Sequence, residues 1–176
     1  LQFYWEAITR VNYVDSDICT AMRKAGCRTV IFGVESFSDR ILKTIHKGVT
    51  GAQATNAILT AKKCGLETTC LLMIGNPGEC QETINETVEG IKAVTPDHVD
   101  AGLTVILPRT ELYDIAVKAG FMDDSYWLDE SLSAPVFTLE NPLDRLHAFK
   151  TAVFDAHWSN RWYVRLYRAS GLRKVR

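Results

Sequence analysis

Three helix endings in this chain share one layout, a lysine, a small residue, a glycine and an apolar residue: KAGC at 24–27, KCGL at 63–66 and KAGF at 118–121. Lysine suits the negative end of a helix, glycine takes the left-handed position just past it, and the apolar residue folds back inward. The first two endings lead straight into apolar runs that read as buried strands, TVIFGV at 29–34 and TTCLLMI at 68–74. Strands alternate with helices at intervals of roughly 27 to 39 residues, the length of a right-handed crossover, so the sheet is predicted to be parallel and covered by helices. The fold class is therefore α/β, a parallel-sheet βα repeat. A barrel section and a doubly wound sheet both remain open, since they share the βα unit and differ only in strand order and curvature. In either, the functional face lies at the C-terminal strand ends.

The remaining elements follow from local signals. The opening LQFYWEAI places Leu1, Phe3, Trp5 and Ala7 on one face of a first strand, and Asp15 caps a helix running to Lys24. Helices are predicted near 38–45 and over about 52–63. Residues 79–93 carry Ile84, Val88 and Ile91 with carboxylates between them, a helical pattern that stops before Pro96. A fourth strand over 98–107 and a helix over 111–119 come next, and the stretch between Gly120 and Asn141 reads as an irregular connector. Asn141 is a good N-cap and Pro142 suits the first helical position of a long last helix reaching about Ser170. The division expected is 1–140 for the sheet-bearing part and 141–176 for a helical extension of the same domain.

With 176 residues, 47% of them hydrophobic and 23% charged, the chain has material for one substantial core. A net charge of -1 gives no overall pull toward nucleic acid or anionic membrane. No run of about 18 apolar residues exists to span a bilayer, and no basic, apolar leader opens the chain, so a cytoplasmic setting without membrane contact is expected. Cys19, Cys27, Cys64, Cys70 and Cys80 lack CxxC or CxxxCxxC spacing and are expected to be mostly reduced core residues.

Three strand ends are specialised. Glu35 and Ser36 follow the second strand, where they can bond a ligand's ammonium or hydroxyls, or where a serine can simply cap the next helix. The third strand leaves through Gly75-Asn76-Pro77-Gly78-Glu79, a corner where backbone can approach a ligand, or a tight turn with Glu79 in the first helical turn. The fourth leaves through Leu107-Pro108-Arg109-Thr110.

The ordered runs WEAITRVN, AGCRTVIFGVES, ILKTIHKGVT, MIGNPGECQET and LPRTELY resemble the radical S-adenosylmethionine (radical SAM) superfamily, and most closely its cobalamin-associated branch. The resemblance covers about residues 5–120. It implies a partial TIM-like (βα) barrel that, with an iron-sulfur cluster, cleaves S-adenosylmethionine reductively to a 5′-deoxyadenosyl radical for hydrogen abstraction or methyl transfer; cobalamin is a further cofactor of that branch. The CxxxCxxC cluster loop is not in this sequence, so the chain is expected to be the C-terminal part of the barrel. On that reading it completes its site with the missing N-terminal part of the same protein, binds no cofactor by itself and is silent alone.

By the same resemblance, Glu35 and Ser36 contact the methionine or ribose part of the cofactor, Lys47 pairs with its carboxylate, and Ile74, Gly75 and Pro77 run beside the adenine. Glu6 and Arg10, near the first strand, also face it, while Glu79 is a structural cap. Arg109 stands where the family commonly has glycine. A non-enzymatic α/β module that binds a nucleotide or protein is the alternative, and an anion loop at GNPGE a third reading, against which stands the lack of GK[ST] and GxGxxG patterns. On the last helix, Arg161, Arg165 and Arg168 alternate with Trp158, Trp162, Tyr163 and Tyr167. Nucleic acid is one partner such a face could meet, though a solvated face with docked aromatics is more ordinary.

Overall fold

The computed structural model of the protein describes residues 3–129 and 133–159. Its elements are β1 (Trp5–Thr9), α1 (Ser16–Lys24), β2 (Cys27–Glu35), α2 (Asp39–Thr44), α3 (Gly51–Lys63), β3 (Glu67–Ile74), α4 (Gln81–Val94), β4 (His98–Leu103), α5 (Glu111–Lys118) and α6 (Leu143–Ser159). All three strand pairings are parallel and the strand order is β1-β2-β3-β4. Consecutive order is what a barrel section requires. A doubly wound sheet would reverse direction at a switch point.

Helix starts and stops obey the expected chemistry. The Asp15 carboxylate accepts from the Ile18 amide at 2.8 Å, and Thr50 and Gln53 form a reciprocal capping box ahead of α3. Past α1, α3 and α5, Gly26, Gly65 and Gly120 take φ values of 96°, 78° and 69°, the left-handed conformation that ends a helix at little steric cost.

Strand alternation separates two faces. Val30, Phe32 and Val34 of β2, Cys70, Leu72 and Ile74 of β3, and Ala101 of β4 are buried in one core with residues of α3, α4 and α6. On the opposite face Ile31, Thr69, Leu71 and Met73 are half-buried, whereas Ile8, His98 and Asp100 are exposed. The helices thus cover one side of the sheet, the outside of a barrel wall.

Three boundaries differ from the sequence reading. Strand β4 ends at Leu103 rather than at residue 107 because the chain then pairs with the supposed connector. The Ile106 amide donates to Pro135 O at 2.8 Å, the Phe137 amide to Thr104 O at 2.9 Å, and Val105 and Val136 form an isolated antiparallel bridge. This connector also supplies Met122 and Phe137 to a second cluster with Ile106, Tyr113 and Ala116. Helix α4 begins at Gln81, so Glu79 lies outside its first turn. Asn141 does not cap α6: its side-chain amide donates to Glu79 O at 2.9 Å, and Pro142 O receives the first helical bond, from Leu146 N. The arginines of the last helix lie outside the described residues. No helix among the described residues is long and apolar enough to cross a membrane.

Candidate functional site

Because the strands are parallel, the ends of β2, β3 and β4 meet along one rim. At the end of β2 the register shifts between Gly33 and Glu35, and Glu35 takes φ 65°. The bulge re-aims its side chain toward Lys47, whose Nζ donates to Glu35 Oε1 at 2.7 Å with only 17% and 19% of the two side chains exposed. A methyl on Gly33 would lie 3.1 Å from Glu35 Oε1 and 3.2 Å from Lys47 Nζ, so the pair sits directly over the bare backbone of β2. Arg10, just beyond β1, donates to the Lys47 carbonyl and ties the first strand end to this loop. Glu6 sits toward the other end of β1, in register with Thr29, about 13 Å along the strand from Arg10.

Not every predicted contact points to the rim. Ser36 is 1% exposed; its hydroxyl lies 3.0 Å from Thr87 Oγ1 of α4 and accepts from the Ser38 amide, so it pins the strand exit to the outer helices. The Ile74 side chain is buried in the core. At Gly75 the amide donates to the Glu79 carboxylate, and an added methyl would lie 3.1 Å from Leu146 of α6. Ile74 and Gly75 therefore support the corner from behind, while Pro77 faces the cleft described next.

Over the ends of β3 and β4 lies a cleft of about 410 Å³ whose wall includes Met73, Asn76, Pro77, Thr104, Val105 and Leu107, of a size and apolar character suited to a small molecule. Residues 44–46 border it on the β2 side and Leu112 and Ile115 on the α5 side. His46 Nε2 lies 3.2 Å from Glu111 Oε2, joining these two borders.

The corner is stiffened from within. Asn76 Nδ2 donates to Met73 O at 2.9 Å and Thr104 Oγ1 to Asn76 Oδ1 at 3.2 Å. Glu79 is 4% exposed, and burial pushes its carboxyl up to about 7, partly opposed by hydrogen bonds from Gly75 and Asn76. The Gly78 amide donates to Glu140 Oε2 at 2.6 Å. Two of the chain's own carboxylates thus take the Gly75 and Gly78 amides that a phosphate would need, which removes the anion-loop reading.

Sequence reasoning missed Met73, Asn76 and Thr104. Met73 had a signal, since it shares strand parity with Leu71 and Thr69 on the open face. The His46 and Glu111 contact had none, being a pairing across 65 residues.

The radical SAM superfamily model matches residues 5–91. The chain is 34% identical over 141 residues to an uncharacterised methyltransferase of Pyrococcus horikoshii, covering 80% of this chain and 31% of that protein. It matches the structure of Elp3 from Methanocaldococcus infernus at TM-score 0.59 and 28% identity, over 68% of this chain and 29% of that one. The radical S-adenosylmethionine methyltransferase TsrM of Kitasatospora setae, solved with cobalamin and a [4Fe-4S] cluster bound, matches at TM-score 0.56 and 20% identity, over 63% of this chain and 22% of that one, and shares the fold. Residues 5–91 of the chain belong to the radical SAM superfamily. The chain spans about a third or less of the length of the curated relatives it matches.

Membership implies S-adenosylmethionine and a [4Fe-4S] cluster as cofactors. The cleft and the Glu35–Lys47 pair fit the former. No group of three or more His, Cys, Asp or Glu among the described residues could hold a metal ion, so those residues do not fit the cluster.

Proposed function

We propose that this chain forms part of the S-adenosylmethionine cradle of a radical SAM enzyme, one that couples reductive cleavage of the cofactor to radical chemistry or methyl transfer. The observation that carries the proposal is the buried Glu35–Lys47 pair at the end of β2, beside an apolar cleft at the ends of β3 and β4. An amino acid carboxylate and ammonium can exchange partners with such a pair, Lys47 taking the former and Glu35 the latter or the ribose hydroxyls. Met73 and Pro77 supply apolar surface for a purine, and Asn76 holds that surface in place. Bound there, S-adenosylmethionine supplies the radical; the chain's residues bind it, orient it and exclude water.

The cluster ligands come, on this reading, from the rest of the protein. The exposure of β1 supports that arrangement. Phe3, Tyr4 and Ile8 are 68%, 60% and 75% exposed, and among the described residues β1 is hydrogen-bonded to a strand on one side only, as an edge strand with room for a neighbour would be. Cobalamin, bound in TsrM, is a further cofactor proposed for the whole enzyme.

Calorimetry on the whole natural protein, kept anaerobic, tests the cradle. Lys47→Met is expected to weaken S-adenosylmethionine binding by about tenfold or more, as the loss of one charge-assisted bond would. Unchanged affinity would remove Lys47, and with it the proposed site, from the cofactor.

A further inference from the structure

We propose that Cys19 and Cys64 are a redox pair, a dithiol that closes to a disulfide between α1 and the end of α3 when a small external disulfide oxidises it. The Cys64 sulfur lies 3.7 Å from Thr20 Oγ1 and 3.7 Å from Ser16 O. Residues 16, 19 and 20 share one face of a helix, so the sulfur sits on the patch of α1 from which Cys19 projects. Cys64 is near enough to act on the Cys19 thiol. Forty-five residues apart in sequence, by the difference of their numbers, they are brought together only by the packing of α1 on α3.

The two sulfurs are unequal. Cys64 caps α3 and is half-buried, whereas Cys19 is fully buried. Burial, and after it the neighbouring Cys64, pushes the Cys19 thiol up to about 11, so Cys64 is the one that meets the oxidant. Its thiolate attacks one sulfur of the external disulfide RSSR, forming Cys64–S–SR and releasing one thiolate. Cys19 then loses its proton to solvent and attacks the Cys64 sulfur, expelling the second thiolate. Two protein thiols give up two electrons and two protons, and RSSR becomes two RSH. Other thiols are less well placed: Cys27 donates to Thr29 O at 3.4 Å, Cys70 is buried, and Cys80 is held by Arg40 Nη2 at 2.9 Å.

The closed ring spans β2, α2 and α3, and so encloses Glu35 and Lys47. Closing it restricts the unfolded chain. The test is anaerobic incubation of the whole natural protein with oxidised glutathione, alkylation of the remaining thiols, and peptide mapping by mass. A Cys19–Cys64 cross-link short of two hydrogens is expected, together with a melting temperature raised by several degrees, and both should reverse with dithiothreitol. Cys64→Ser should abolish both responses, and Cys19→Ala should leave glutathione attached to Cys64. The proposal is overturned if wild-type Cys64 keeps glutathione while Cys19 is alkylated, if Cys64 pairs with a different cysteine, or if both thiols survive. Mapping of the wild type decides among these outcomes even if the Cys19 variant does not fold.

Discussion

Two residues carry most of the electrostatic consequence. Lys47 and Glu35 are four-fifths buried, so losing one leaves the other charged without a partner, a loss that exposed pairs escape through solvation. Lys47→Met is expected to lower stability by about 1–3 kcal/mol, read as a shifted urea midpoint; Glu35→Gln combined with Lys47→Met should recover part of the loss. Glu79 acts with the opposite sign from an ordinary salt-bridged acid. Its folded-state value of about 7 lies above the usual 4.5, so between those values the folded chain binds more protons than the unfolded one. Stability is then lost as pH rises through that window. A tenfold difference in proton affinity between the folded and unfolded chain corresponds to about 1.4 kcal/mol, which makes the wild-type loss about 3 kcal/mol. Glu79→Gln keeps an acceptor for the Gly75 amide and should remove the slope, which paired urea melts at pH 5 and pH 8 would read directly. A parallel pH response in the two proteins would show that Glu79 does not titrate in that range.

At the scale of elements, the outer layer depends on close approach between α4 and the chain after β2. A methyl group on Gly90 would fall 2.2 Å from Phe37 Cγ and 2.6 Å from its Cβ, atoms near the root of a buried side chain that cannot swing aside. Overpacking should outweigh the gain of about 1 kcal/mol in helix propensity, and Gly90→Ala is expected to destabilise by about 1–3 kcal/mol. Gly102 on β4 has nothing within 4 Å of an added methyl, so Gly102→Ala should change the melting temperature little. Equal effects from both would mean that Phe37 and α4 do not meet so closely. The same crevice explains why Ser36 serves structure: its hydroxyl and the Phe37 amide both reach Thr87 of α4.

For the molecule as a whole, the sheet has a covered face and an open one, and on the proposed reading its rim is one part of a cofactor cradle. Reconstitution with iron and sulfide under anaerobic conditions is expected to give no stable visible cluster absorbance in the 176-residue chain, and to give it in the whole natural protein. A cluster formed by the short chain alone would contradict the proposed division of ligands.

The βα order, the parallel pairing, the helix caps and the location of the rim were legible in the sequence, because each rests on local rules: Asp15 and Thr50 cap what directly follows them, and Gly26, Gly65 and Gly120 end what directly precedes them. Which way the rim residues point was not legible. A bulge turns Glu35 to Lys47, and Thr87, from 51 residues away, claims Ser36; Ile74 and Met73 alone carried a local mark, the strand parity that sends the first inward and the second to the cleft. The burial of Glu79 and the meeting of Cys19 with Cys64 were likewise decided only by tertiary packing, since both depend on groups brought together from distant parts of the chain, and no local pattern encodes such proximity.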